Sequence, residues 1–249
     1  MCRLLGAVSR DAAPLTETLA DDLEPFAALS SIHCDGWGMS YWDAEDSLVV
    51  AKSPEAALGS EEFWRSAKAA DTDAALLHLR KASVGMTPDP RNTHPFVAGS
   101  VAFAHNGFVA PRSALDAELA RVGGREPEGD TDSERYFGLV LAAMRDAGPV
   151  EALQATARRV HALSEEFVSL NALLLTHRGL YALSYYNPDA PPSQEAGAAS
   201  YELMFRVGAD TVTVASDGWE PAGPQWERIY HGMVLEVARE DLRVTVHHG

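Results

Sequence analysis

The chain opens Met1-Cys2-Arg3-Leu4-Leu5-Gly6 and continues through Ala7 and Val8. Removal of Met1 would leave one residue carrying both a thiol and a free α-amino group. Their ordinary pKa values are about 8.5 and about 7.7–8.0, so a nucleophile and a weak base near neutrality would share residue 2. Acyl chemistry needs such a pair: a nucleophile whose proton is taken directly or through one water. Leu4–Val8 is an apolar run and reads as a short buried strand that starts at the thiol. Taken alone, a second-position cysteine is more often incidental than functional.

Composition narrows the class. The chain has 249 residues, 46% of them hydrophobic and 22% charged, which is the balance of a globular protein with a sizeable core. With no internal repeat and no linker-like stretch, one domain over residues 2–249 is expected. No apolar run reaches the length of a membrane span, and the N-terminus lacks the basic start and apolar core of a signal peptide. The expectation is a cytoplasmic protein that does not engage a membrane. Formal net charge is −16, against the clustered Lys and Arg of a nucleic-acid surface. Cys2 and Cys34 are the two cysteines and read as free thiols.

Outward from the first strand, Leu15, Leu19, Leu23 and Phe26 follow helical spacing. Ser47–Lys52 reads as a strand and Ser60–Ala70 as a short helix. Ala74–Leu79 and Ser100–Ala104 are apolar strand-like runs that end in His78-Leu79-Arg80 and His105-Asn106-Gly107. Thr131-Asp132-Ser133-Glu134 has the capping-box form, with an apolar stripe of Tyr136, Phe137, Val140, Leu141 and Met144 behind it. Gly148-Pro149 is expected to stop that helix, and Val150, Leu153, Ala157, Val160 and Leu163 mark a second one packed beside it on a sheet. Val168–Thr176 and Gly179–Tyr186 predict a hairpin, and Asn187–Ser200 an exposed loop. Further strands are predicted at Tyr201–Val207, Thr211–Ala215, Met233–Val237 and Arg243–His247, with His247-His248 as a tail.

Five features then fall in one order: the Met-Cys-Arg-Leu-Leu-Gly start, His78–Ser83, Asn92-Thr93-His94-Pro95-Phe96, His105-Asn106-Gly107 and Thr131–Glu134. Together they resemble the glutaminase domain of class II glutamine amidotransferases, which carry an N-terminal nucleophile. Asp35-Gly36-Trp37-Gly38 is similar to the small stand-alone members, and Ala215-Ser216-Asp217 to a later strand. The resemblance implies an α+β fold, a four-layer αββα sandwich of the N-terminal-nucleophile hydrolase type. No cofactor and no metal are expected.

It also implies roles. Cys2 would attack the amide carbon of a γ-glutamyl substrate, its α-amino group taking the thiol proton and returning it to the leaving amine. The Asn106 amide and the Gly107 N–H would hold the oxyanion. Arg80 suits the substrate α-carboxylate because a guanidinium binds it through two parallel bonds. Asp132 would hold the α-ammonium group. Asp130 is two residues earlier, but the Asp-Ser-Glu alignment favours Asp132. Where the sugar-phosphate-synthase branch has Arg-Trp-Ala-Thr-His-Gly, this chain has Arg80-Lys81-Ala82-Ser83-Val84-Gly85. Ser83 keeps a hydroxyl for the substrate, whereas Val84 cannot replace a histidine donor. His33, Cys34 and Asp35 are consecutive and lack the spacing of a metal site. His78, His94 and His105 are expected to pack and hydrogen-bond, and Trp37, Trp42, Trp219 and Trp226 to line core or cleft.

Three functions stay open. The first is a glutaminase; because the chain length leaves no room for a fused synthase, either a separate synthase subunit receives the ammonia or none does. The second is a stand-alone hydrolase of a γ-glutamyl metabolite, similar to the ergothioneine-pathway γ-glutamyl hydrolases with their Met-Cys-Arg start. The third is a non-catalytic binding subunit that keeps the fold, favoured if Met1 stays and blocks the amine.

Overall fold

Two antiparallel sheets hold the strands of this computed structural model, which describes residues 2–83, 86, 89–189, 201–216 and 226–249. The strands are β1 (Arg3–Pro14), β2 (Trp37–Trp42), β3 (Leu48–Ser53), β4 (Asp71–Leu79), β5 (Phe96–Ala98), β6 (Val101–Ala110), β7 (Glu166–Thr176), β8 (Gly179–Leu183), β9 (Leu203–Val207), β10 (Thr211–Ser216), β11 (Glu227–Ile229), β12 (Val234–Ala238) and β13 (Val244–His247). The helices are α1 (Leu15–Thr18), α2 (Ala20–Ala28), α3 (Glu61–Ala69), α4 (Arg112–Val122), α5 (Asp132–Ala143) and α6 (Pro149–Leu163). Among the described residues, the first sheet runs β11-β9-β10-β1-β4-β2-β3 and the second β13-β12-β8-β7-β6-β5.

Side-chain alternation along the strands sorts the apolar residues into three layers. Leu4 and Val8 of β1 and Leu76 of β4 pack against Ala102, Ala104, Leu173 and Leu175 of the second sheet. The odd-numbered neighbours Leu5, Ala7 and Leu77 instead face Leu15, Leu23, Phe26 and Phe63 of the helices on the outside. On the other flank Phe103 and Leu174 meet Leu115, Tyr136, Phe137 and Leu153 of α4, α5 and α6. Helices, sheet, sheet, helices: the α+β, four-layer αββα sandwich is the fold.

Most predicted elements are present, with differences that have local causes. The helical stretch after β1 is broken into α1 and α2 at Leu19, whose φ of −110° and ψ of 27° leave the helical region. Gly148-Pro149 starts a helix rather than stopping one, because proline tolerates the first helical position; α5 already ends at Ala143. The Thr131 side chain caps α5 by accepting the Glu134 N–H at 3.1 Å. The Glu134 carboxylate, however, takes the N–H groups of Glu128 and Gly129 at 2.9 and 2.7 Å, so the reciprocal half of the expected box is spent on the preceding loop. His247 belongs to β13 and its Nε2 meets Glu236 at 2.8 Å, which corrects its reading as a tail. Strands β2, β5 and β11 and helix α4 were not predicted. Met1, Val84, Gly85, Asp217, Trp219 and most of the predicted 187–200 loop lie outside the described residues.

Candidate active site

Register fixes which strand ends meet. Arg3 of β1 and Trp37 of β2 both pair with Leu79, so the start of β1, the start of β2 and the end of β4 share one end of the first sheet. Trp42, at the other end of β2, donates its indole N–H to Thr176 O at 3.0 Å, where β7 pairs with Val101 at the start of β6. Strand β6 therefore enters at the far end and runs toward the Cys2 end as it reaches His105-Asn106-Gly107. Cys2 stands two residues before Leu4 and Asn106 two after Ala104, on the rows that face the opposing sheet.

The Cys2 thiol is buried. Burial pushes its pKa up, opposed chiefly by the Lys81 N–H, which donates to Sγ at 3.4 Å. The start of β1 is pinned beside it: the Leu4 N–H donates to Ser216 Oγ at 3.0 Å, at the end of β10. Arg80 is buried, 3% exposed, and its Nη1 donates to Asp35 O at 3.3 Å. A guanidinium has five N–H donors, so this contact leaves capacity for a carboxylate.

On the opposing sheet, Asn106 is 4% exposed and its Oδ1 has no hydrogen-bond partner among the described residues. Gly107 is forced by space: a Cβ there would lie 1.7 Å from Ser169 O on β7. His105, on the opposite row, ties this stretch down. Its Nε2 donates to Ser169 O at 3.0 Å; since a carbonyl only accepts, Nδ1 is the acceptor for the Ser133 hydroxyl at 2.9 Å. Burial holds this imidazole below its ordinary pKa, with the Asp132 carboxylate opposing. Asp132 opens α5, and its Oδ2 accepts the Val109 N–H at 2.8 Å, at the point where the β6–β7 register shifts. A bulge takes a backbone group out of the ladder and frees it for such a bond. Asp130 is exposed, with its N–H on Asn92 Oδ1 at 2.8 Å.

The two halves are bridged by 92–96. The His94 ring lies 4.1 Å from the His78 ring, centroid to centroid, and 4.6 Å from Phe96. Both imidazoles are neutral: burial holds His78 down to about 3 and His94 well below its ordinary value. Lys52 of β3 donates to Thr93 O at 2.9 Å and fastens the segment to the first sheet. Among the described residues no group of three or more His, Cys, Asp or Glu is arranged to hold a metal ion. No helix among them is long and apolar enough to cross a membrane.

A model of the glutamine amidotransferases class-II matches residues 1–184. The chain belongs to that family. It is similar to a glutamine–fructose-6-phosphate aminotransferase of Caulobacter vibrioides, 29% identical over 163 residues; the match takes in 64% of this chain and 25% of the relative. It is also similar to a γ-glutamyl-hercynylcysteine sulfoxide hydrolase of Mycolicibacterium smegmatis, 31% identical over 78 residues, 31% of this chain and 34% of the relative. The chain thus spans about a quarter to a third of the length of these relatives. A glutamine aminotransferase class-II domain protein from Silicibacter pomeroyi superposes with a TM-score of 0.71 at 20% identity, covering 99% of both chains, which establishes likeness of fold.

In this class-II glutamine amidotransferase the residues singled out in sequence form two groups. Cys2 and Arg80 are joined through Lys81, and Asn106, Gly107 and Asp132 through His105, Ser133 and Val109. Ser83 stands apart: it is exposed, and its carbonyl accepts the Met86 N–H. Sequence reasoning missed Asn171, which pairs with Asn106, is fully buried, and accepts the Tyr185 N–H at 2.7 Å. A lone amide within the apolar run of β7 was the available signal. It also missed Ser216 as a clamp on β1 and Asp35 as the acceptor of the Ala82 N–H.

Proposed function

We propose that this class-II amidotransferase hydrolyses a γ-glutamyl amide through a glutamyl thioester on Cys2. The observation that carries this reading is the Asn106 amide, buried at the sheet end that begins with Cys2 and without a hydrogen-bond partner for its Oδ1 among the described residues. A buried amide oxygen left this way costs about 1–3 kcal/mol unless a donor, such as a substrate N–H, meets it, and the Nδ2 of the same side chain is a donor of the kind a developing oxyanion needs.

Removal of Met1 frees the Cys2 α-amine, which takes the thiol proton as sulfur attacks the amide carbon. Asn106 Nδ2 and the Gly107 N–H stabilise the tetrahedral oxyanion, a contribution of about 2.7–4 kcal/mol per donor in comparable sites. The Cys2 α-ammonium group returns the proton to the departing amine. Water, activated by the Cys2 α-amine, then cleaves the thioester, which releases glutamate and returns the Cys2 thiol. Arg80 binds the substrate α-carboxylate, Ser83 offers it a hydroxyl from the exposed segment that follows, and Asp132 binds the substrate α-ammonium group. The departing amine is ammonia if the substrate is glutamine, for release or for a separate synthase subunit, and a larger amine if it is a γ-glutamyl conjugate. The resemblance to both an aminotransferase and a γ-glutamyl hydrolase supports the shared acyl half and leaves the choice to turnover measurements on the two substrate types. The proposed compartment is the cytoplasm.

Intact mass before and after exposure to a glutamine-analogue electrophile tests the reading. The expected protein lacks Met1 and gains one adduct, which is absent in Cys2→Ala. A retained Met1, or an adduct on Cys34, overturns it.

A further inference from the structure

Asp35 is outside the thiol and substrate contacts above, yet its bonds converge on the segment after β4 that serves both. Its carboxylate accepts the Ala82 N–H at 2.8 Å. Its carbonyl accepts from Arg80 Nη1 at 3.3 Å. Its own N–H donates to Arg80 O at 3.1 Å, and the adjacent Gly36 O accepts the Arg80 N–H at 2.7 Å. Between these anchors lies Lys81, whose N–H is directed at Cys2 Sγ. The approach depends on Gly36: its φ is +142°, and a Cβ there would meet Ser53 O at 3.0 Å and Thr93 Cγ2 at 3.1 Å.

We propose that Asp35 is a positioning residue that fixes the 80–82 segment, so that one segment presents the Arg80 guanidinium to the substrate carboxylate and the Lys81 N–H to the Cys2 sulfur. The substrate half rests on the γ-glutamyl hydrolase reading; the thiol half stands without it. Hydrogen bonds to a thiolate favour the charged form. Lys81 is the leading influence that opposes the effect of burial on Cys2. Without the Asp35 carboxylate, the Ala82 N–H loses its acceptor and the segment is free to shift. A displacement of about 1 Å at a positioned group can cost about 10²-fold in rate.

The test compares full-length wild type, Asp35→Ala and Asp35→Asn. One measurement is the pH profile of Cys2 alkylation by iodoacetamide, resolved from Cys34 by peptide mass; the other is kcat and KM for glutamine and a γ-glutamyl conjugate. Asp35→Ala should move the alkylation midpoint to higher pH and raise KM by about tenfold or more, with a smaller change in kcat. Asp35→Asn keeps a carbonyl acceptor for Ala82 and should stay within about threefold of wild type in both. An unmoved midpoint and KM in Asp35→Ala, even with a lowered melting temperature, overturns the proposal. If Asp35→Ala does not fold, Asp35→Glu takes its place: displacing the carboxylate by one methylene should produce the same shifts in direction, and wild-type values would overturn it. If the wild type cleaves no γ-glutamyl compound, the proposed function fails, while the alkylation midpoints still decide the role of Asp35.

Discussion

Asn106 and Gly107 are neighbours with opposite requirements. Asn106 needs a donor for its buried Oδ1, which has none among the described residues, and Gly107 needs the absence of a side chain, because the β7 backbone passes where a Cβ would be. Gly107→Ala must push β7 away or distort β6. The expected cost is about 1–3 kcal/mol of stability or more, read as a lower urea midpoint with an unchanged slope. An unchanged midpoint would mean that β6 and β7 part at no cost. At this scale the sequence was readable where chemistry is carried by a recognisable string. His105-Asn106-Gly107 and the second-position cysteine are such strings. Asn171 and Ser216 are not, since each matters through a partner that is far along the chain: Asn106 across the β6–β7 ladder and Leu4 across 212 residues.

Elements with strong local signals formed as expected. Ser60 caps α3 by accepting the Phe63 N–H, and Thr131 caps α5. Replacing Thr131 with alanine should cost about 1 kcal/mol, measurable as a shift in thermal midpoint. Because Asp132 is the next residue, the same variant should also weaken substrate binding; a destabilised protein with unchanged KM would separate the cap from the site. Helix α4 escaped notice for a physical reason. Its inward face contains Leu115 and Leu119 but also Glu118, whose nearly buried carboxylate is clasped by Arg121 at 2.7 Å and by Arg159 of α6 at 2.7 Å. The arginines hold that carboxyl well below the ordinary range. A charged residue on the buried side masks helical periodicity, and only the packing of α4 against α6 accounts for it.

The whole molecule is two sheets whose contact layer is apolar along most of its length and polar toward the Cys2 end. His78 and His94 are in that region, neutral because burial disfavours the imidazolium. Unfolded, each titrates near 6.5, whereas folded His78 titrates near 3. Between those values the unfolded chain holds more protons, so stability rises with pH across that window and is lost as pH falls through it. Lowering pH from 7 to 5 should therefore reduce unfolding free energy by about 2 kcal/mol or more, checked by urea titrations at both values. The His78→Phe variant should flatten the dependence. An equal loss in that variant would exclude His78 as a source.

The sequence by itself determined the nucleophile candidate, the strand rows and the family, because each is encoded in residue type, period or short-range order. Only the tertiary structure decided how the parts meet. Cys2 is the residue before β1, Arg80 and Lys81 follow β4, and Asn106 and Asp132 come from the second sheet and its helix. Their relation depends on register between strands distant in sequence and on the packing of one sheet against the other. Composition and periodicity say which face a side chain takes. They do not say which distant carbonyl, carboxylate or amide it will meet there.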